Sequence, residues 1–243
     1  MANQYLSEDL GAPAVGDVAV VSGTEARHAV TVSRLAIGEL VRVGNGSGLV
    51  ASGTVTAVAP GEFQFVVDAV DENPRPSPAI WLAQALAKGD RDELAIQAAT
   101  ELGVDGVIPW TASRSISRWE GSKVSKGQDR WAAVVREATK QSARAWLPEV
   151  APLVNTKQLA ALAEGTRMIV LDPLAETSLT AIELGGLDVV LVVGPEGGIS
   201  PAEFELLYAA GAVGASLGSG ILRTSTAGPA AIAVLSAKLG RWS

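Results

Sequence analysis

The sequence predicts an α/β protein in two parts: a small β-barrel or sandwich, then a larger domain with a mostly parallel sheet and helices on both faces. Three observations lead there. Residues 1–75 are short β-type runs broken by glycine, with none of the six tryptophans. The segment Asn73-Pro74-Arg75-Pro76-Ser77-Pro78 follows, and alternating prolines exclude helix and favour an extended linker. Beyond it, apolar runs alternate with helical patterns over the rest of the 243 residues, a length that supports a sizeable core. The boundary is placed at the prolines, giving domains 1–74 and 75–243.

In the first part the β-type runs are Val18–Val21, Glu39–Val43, Leu49–Val58 and Glu62–Val67, with the turn Gly44-Asn45-Gly46-Ser47-Gly48 between two of them. Ala26 to Leu35 reads as one short helix. In the second part, Ile80–Ala87 is continuously apolar, as a strand buried on both faces must be. The next helix has Asp90 and Glu93 at capping-box spacing and Gly103 past its end. Gly106–Trp110 is a further strand, followed by an irregular stretch to about Gln128 and an amphipathic helix to Ala145. In that helix Trp131, Val134, Val135, Ala138 and Ser142 fall on one stripe. Arg167–Leu171, Val189–Val193 and Ala212–Leu217 complete the strands. Between the last two, a helix has Ser200 as N-cap, Pro201 first, Glu203 third and Gly211 as its stop. A last helix runs from about Pro229 to Leu239.

Composition narrows the chemistry. The chain has no cysteine and one histidine, His28, which removes disulfides, thiolate metal sites, cysteine nucleophiles and multi-histidine metal centres; no metal is expected. The longest apolar strings fall far short of the roughly 20 residues that span a bilayer. Met1 to Leu10 lacks a basic start and apolar stretch, so a cytoplasmic location is expected. The formal net charge is −7, which taken whole argues against a nucleic-acid partner.

Three loops at the carboxyl ends of β-runs are the candidate site, because ligands of open α/β sheets bind there. They are Leu171-Asp172-Pro173, Gly194-Pro195-Glu196-Gly197-Gly198-Ile199-Ser200, and Leu217-Gly218-Ser219-Gly220-Ile221-Leu222-Arg223-Thr224-Ser225-Thr226-Ala227. Their glycines let backbone approach a flat ring or ribose closely. The spacing is neither a dinucleotide fingerprint nor a P-loop. By themselves these glycines are equally compatible with tight strand–helix turns.

A second feature is basic. Arg114 to Arg144 carries a net +5, with Arg136, Lys140 and Arg144 at helical spacing on one face. A solvated face is the plainer explanation for such a run alone. Trp131 belongs to the apolar stripe and Trp119 is available to stack on a base.

At the glycine loops the sequence resembles a known family. Gly194-Pro195-Glu196-Gly197-Gly198-Ile199-Ser200 with Glu203, and Leu217-Gly218…Ile221-Leu222-Arg223-Thr224…Thr226-Ala227, are similar to the ribosomal RNA small subunit uracil-N3 methyltransferases of the SPOUT superfamily. The likeness continues through Glu25-Ala26-Arg27-His28 to Arg34-Leu35, Lys88-Gly89-Asp90-Arg91, Thr100-Glu101-Leu102-Gly103, Arg114-Ser115 and Glu137-Ala138…Gln141-Ser142…Arg144. The family usually carries arginine where Gly220 stands and glutamate where Ser225 stands, so a mechanism using either group is not open to this chain.

The resemblance implies a PUA-like β-barrel that helps to hold RNA, and a SPOUT domain with a C-terminal trefoil knot. It implies a homodimer that uses S-adenosylmethionine, without metal, to methylate N3 of a uridine in 16S ribosomal RNA within the small ribosomal subunit. On it, the cofactor residues are Leu171, Asp172, Pro173, Gly194, Pro195, Glu196, Gly197, Ile199, Leu217, Gly218, Ile221, Leu222, Arg223, Thr224, Thr226 and Ala227. Arg223 is the catalytic candidate, and Arg27, His28, Arg34, Lys88, Arg91, Arg114, Arg118 and Arg144 are the RNA-contact candidates. Alternatives are a SPOUT methyltransferase for transfer RNA or another ribosomal site, and an inactive ribosome-assembly factor. The charge then divides by segment into −5 for residues 1–75, +2 for 76–148 and −4 for 149–243, which removes the objection to an RNA partner.

Overall fold

The computed structural model describes residues 3–242. They form two compact units, one running to Arg75 and including Thr139–Leu147, the other made of Pro76–Ala138 and the described residues from Pro148 onward.

The first unit contains β1 (Asn3–Leu6), β2 (Val18–Ser22), α1 (Gly23–Thr31), β3 (Leu40–Gly44), β4 (Leu49–Ala59) and β5 (Glu62–Glu72). The strands make one mixed sheet in the order β1-β3-β4-β5-β2, so the sandwich alternative does not apply. β1 runs parallel to β3, and the other pairs are antiparallel. Alternate residues of every strand (Tyr5, Ala19, Val21, Val41, Val43, Val55, Phe63, Phe65) join Ala26 and Ala29 of α1 in one core. The long β4–β5 hairpin slips register at Ser52/Gly53 and Val55/Ala57, and such bulges bend a strand pair around its core. α1 ends at Thr31, before the expected Leu35, and the chain leaves helical geometry by Arg34, which has φ 54°.

β1 carries no clear alternation and owes its existence to a distant partner, pairing Asn3 with Val41. Thr139–Leu147 is a strap that the linear division at the prolines left with the second domain. Lys140 pairs with Glu25 at 3.2 Å, Gln4 donates to the Arg144 carbonyl, and Trp146 Nε1 donates to the Asn73 carbonyl. Gly48 lies beneath the Trp146 ring, where a Cβ would stand 2.8 Å from it.

The second unit contains β6 (Ile80–Ala85), α2 (Arg91–Glu101), β7 (Gly106–Thr111), α3 (Ser122–Gln141), β8 (Glu149–Val150), β9 (Val154–Asn155), α4 (Thr156–Ala161), β10 (Arg167–Leu171), β11 (Val189–Val193), α5 (Pro201–Ala209), β12 (Val213–Ala215) and α6 (Thr224–Lys238). The sheet order is β12-β10-β11-β6-β7-β8, with β9 also on β7, and every pairing is parallel. All five residues of β11 are buried, as expected of a strand covered on both faces. One face packs Ala83, Met168, Val170, Val190 and Val192 against Leu159 of α4 and Leu207 of α5. On the other, α2 and α6 pack together, and Gly228 of α6 fits directly over Leu82.

Several expected boundaries move. The Asp90 capping box does not form: Asp90 has φ 59° and makes no cap, while Asp92 accepts from the N–H groups of Ala87 and Glu93. α3 starts at Ser122, inside the expected irregular stretch, where Trp119 lies over Gly127. It stops at Gln141, with Ala143 at φ 54°. α6 starts at Thr224, so Pro229 falls in its second turn and not at its first position. The Ser200–Glu203 capping box forms as expected, with Pro201 leading α5.

Candidate cofactor cleft and its basic rim

β10, β11 and β12 are neighbours in the sheet, and the loops leaving their carboxyl ends enclose a cleft of about 800 Å³. That is within the range of small-molecule sites, roughly 300–1,000 Å³. Apolar side chains line it, among them Leu171, Val193, Ile199, Phe204 and Leu217, with backbone of the glycine-rich turns between them. Gly194 must be glycine, since a Cβ there would stand 2.7 Å from Ile199 Cγ1.

Thr224 ties two of these loops together. Its hydroxyl donates to the Gly194 carbonyl at 2.8 Å and accepts from Gln84 Nε2 at 2.9 Å. Gln84 is fully buried in β6. The carboxyl-end rule did not reveal this glutamine, because it sits within an apolar strand.

The structure brings the expected cofactor residues to this cleft, with three exceptions. Gly197, Gly218 and Thr226 do not line it. Gly197 instead packs on Arg114, whose guanidinium donates to the Gly197 carbonyl at 3.1 Å. Gly218 takes φ 82° to turn the loop, and the Thr226 hydroxyl bonds back to the Arg223 carbonyl. Gly198 and Gly220, within the expected loops, line it too, and Leu174, Val193, Phe204 and Ala215 line it without having been expected there. Val193 ends its strand, so counting the last strand residue with each loop would have found it, whereas Ala215 lies inside the expected strand Ala212–Leu217 and ends only the observed β12.

The basic candidates divide between the units. In the second, Arg91 and the Lys88 N–H both donate to Glu196 Oε1, at 2.6 and 3.1 Å, and Arg114 reaches Gly197. Two guanidinium groups, those of Arg91 and Arg114, are therefore held at the glycine loop, which Lys88 meets through its backbone. Arg118 donates to the Ser113 carbonyl at 3.5 Å. Arg223 lies exposed on the cleft at the N-cap of α6. In the first unit Arg27, His28 and Arg34 are exposed.

The expected basic helix face is not continuous: Arg144 lies past the end of α3, and Lys140 is engaged with Glu25. Trp119 is not a free stacking platform. It packs edge-on against Trp131, with ring centroids 5.4 Å apart, and Trp131 is core as expected.

Two carboxylates stand out electrostatically. Burial alone would raise Glu196, but its backbone, Arg91 and Lys88 hydrogen bonds outweigh that and hold it below the ordinary carboxylate value. Glu203 is 7% exposed; burial again opposes charge, yet hydrogen bonds from Ser113 and Ser200 bring it down to about 2. Tyr208, which donates to Asp172 at 3.2 Å, is raised to about 12 by burial and by that carboxylate. Among the described residues no cluster of three or more His, Asp or Glu side chains is arranged to hold a metal.

A parallel sheet with a loop-built cleft at its carboxyl ends is a ligand-binding α/β arrangement, and here a small mixed-sheet unit precedes it in the chain. Residues 73–236 match the family model described as RNA methyltransferase domain, and residues 21–68 that of the RNA methyltransferase PUA domain. The ribosomal RNA small subunit methyltransferase E of Mycobacterium bovis is 40% identical over 95% of this chain and 90% of its own length. That of Bacillus subtilis is 30% identical over 89% and 88%. Among solved structures, a Legionella pneumophila methyltransferase in complex with the cofactor SAM superposes with a TM-score of 0.88, 29% identity and 98% coverage of both chains. The Neisseria gonorrhoeae ribosomal RNA small subunit methyltransferase E bound to S-adenosyl methionine gives 0.87, 27% and 98% of both. The chain belongs to the RNA methyltransferase family and, within it, to the ribosomal RNA small subunit methyltransferase E group.

Proposed function

We propose that this protein transfers the methyl group of S-adenosylmethionine to N3 of a uridine in 16S ribosomal RNA, within the small ribosomal subunit. The observation that carries this is the cleft itself: three loop backbones around an apolar slot, with the Arg91 and Arg114 guanidinium groups beside it. The residues fit a nucleoside cofactor, since apolar walls suit a flat ring and loop amides and carbonyls suit its polar edge. When bound, that cofactor supplies a methyl already activated by a sulfonium. Leu171–Pro173, Gly194–Ile199 and Leu217–Ala227 would hold it.

The protein then supplies alignment and electrostatics. N3–H of uridine must lose its proton to become a nucleophile, and Arg223 would stabilise the charge that develops on the uracil carbonyls. Glu196 is a weak base in this setting, since Arg91 holds it ionised. N3 lies in the pairing edge, so the base must be unpaired or flipped. Arg27, His28, Arg34 and Arg144 in the first unit, and Lys88, Arg91, Arg114 and Arg118 in the second, would grip RNA phosphates.

We further propose that the protein works as a homodimer in the cytoplasm and that its C-terminal loops are threaded as a trefoil knot. The near-complete exposure of Leu174 (89%) and Ile221 (83%) on the cleft supports a second copy covering them.

The test is mass spectrometry of 16S ribosomal RNA from a strain lacking the gene, complemented with wild type or Arg223→Ala. The expected outcome is loss of one N3-methyluridine, restored by wild type and reduced about a hundredfold in rate by the variant, the scale of one lost transition-state contact. An unchanged mark in the deletion strain overturns the reaction; full activity of Arg223→Ala overturns its role.

A further inference from the structure

Glu203 does not line the cleft, yet it is the most heavily bonded side chain beside it. Its Oε1 accepts from the Ser113 N–H and the Thr156 hydroxyl, both at 2.8 Å. Its Oε2 accepts from the Ser113 hydroxyl at 2.7 Å, the Ser200 hydroxyl at 2.8 Å and the Ser200 N–H at 3.0 Å. Helix capping requires only the Ser200 bonds. The Ser113 bonds come from another loop altogether, the one that carries Arg114 and Arg118. Arg114 in turn packs its Cβ 3.2 Å from where a Gly197 Cβ would be and donates to the Gly197 carbonyl.

We infer that Glu203 is a positioning residue that couples the glycine loop of the cofactor cleft to the arginine-bearing segment 113–118, so that methyl-donor site and RNA grip are set together. This rests on the function proposed above. The coupling requires a carboxylate. Each oxygen receives one backbone N–H, and a backbone N–H cannot turn round as a hydroxyl can. An amide in place of the carboxylate would therefore set its NH2 against an N–H in either orientation.

The experiment uses the full-length protein, S-adenosylhomocysteine as the binding probe, and small ribosomal subunits from the deletion strain as substrate. Ser113→Ala removes one hydroxyl bond to Glu203 and touches neither the cleft lining nor the Arg114 side chain. It is expected to weaken S-adenosylhomocysteine binding and to raise KM for subunits, each about five- to tenfold, the ordinary size of a coupling between sites. Glu203→Gln is expected to do more on both readouts, and Ser113→Ala added to it should change neither further. Glu203→Asp, which keeps the carboxylate, should recover part of both.

Unchanged S-adenosylhomocysteine affinity in Ser113→Ala, whatever its melting temperature, overturns the coupling, because a purely structural role lowers stability alone. So does an undiminished Ser113→Ala effect in the Glu203→Gln background. Should Glu203→Gln not fold, Ser113→Ala decides by itself. Wild type that binds the probe but methylates no subunit defeats the proposed function, while the binding arm still decides the coupling. Wild type that binds no probe defeats both.

Discussion

Arg91 donates to Glu196 at 2.6 Å, and both residues line the cleft, so the one acidic side chain in the glycine loop is committed to a cation. This distinguishes a positioning carboxylate from a proton acceptor. Glu196→Gln keeps an acceptor for the Lys88 N–H and removes the charge. The pair is partly exposed, and such pairs are worth about 0.2–1 kcal/mol, so unfolding free energy should change by less than about 1 kcal/mol. Methyl transfer should fall less than about tenfold, since a lost general base costs about 10²–10⁴. Stopped-assay rates on small subunits check this.

Acidification should act through Glu203. Its folded value is lowered from 4.5 to about 2, so its stabilisation is fully present above pH 4.5 and is lost as pH falls through 2. The unfolding free-energy difference between wild type and Glu203→Gln, read by denaturant titration, should be about 1–3 kcal/mol at neutral pH. It should shrink progressively between pH 4.5 and 2.

Thr224→Val should separate packing from hydrogen bonding. The shape is kept, but the Gly194 carbonyl loses its donor and Gln84 keeps only the Ala85 carbonyl. A loss of about 1–3 kcal/mol in stability is expected. Weaker S-adenosylhomocysteine binding in calorimetry should accompany it.

Two glycines should respond oppositely. A Cβ at Gly53 would overlap the Val66 carbonyl across the β4–β5 bulge, whereas one at Gly220 meets nothing within 4 Å. Gly53→Ala should cost about 1–3 kcal/mol through forced backbone shifts. Gly220→Ala should stay within about 0.5 kcal/mol, as a surface change does. Chemical denaturation of both variants measures the contrast.

The amino-acid sequence by itself determined what is local. The apolar strands of the parallel sheet, the Ser200–Glu203 cap with Pro201, and the three carboxyl-end loops were readable because each depends on residues a few positions apart. The same locality explains the boundary errors: Asp90 has capping spacing, but Asp92 wins the N–H groups once the loop is folded. Only the tertiary structure decided the rest. Nothing in Asn3–Leu6 announces a strand until Val41 lies beside it, and nothing in Thr139–Leu147 assigns it to the first unit until Glu25 faces Lys140. Gln84 passed unremarked inside the apolar run Ile80–Ala87, and Glu203 read as a residue of a helix first turn. Their connections to the loops around the cleft came only when Thr224 and Ser113, 140 and 90 residues away in the chain, supplied their partners. A buried polar group must find a partner wherever the folded chain provides one, and sequence distance does not constrain where that is.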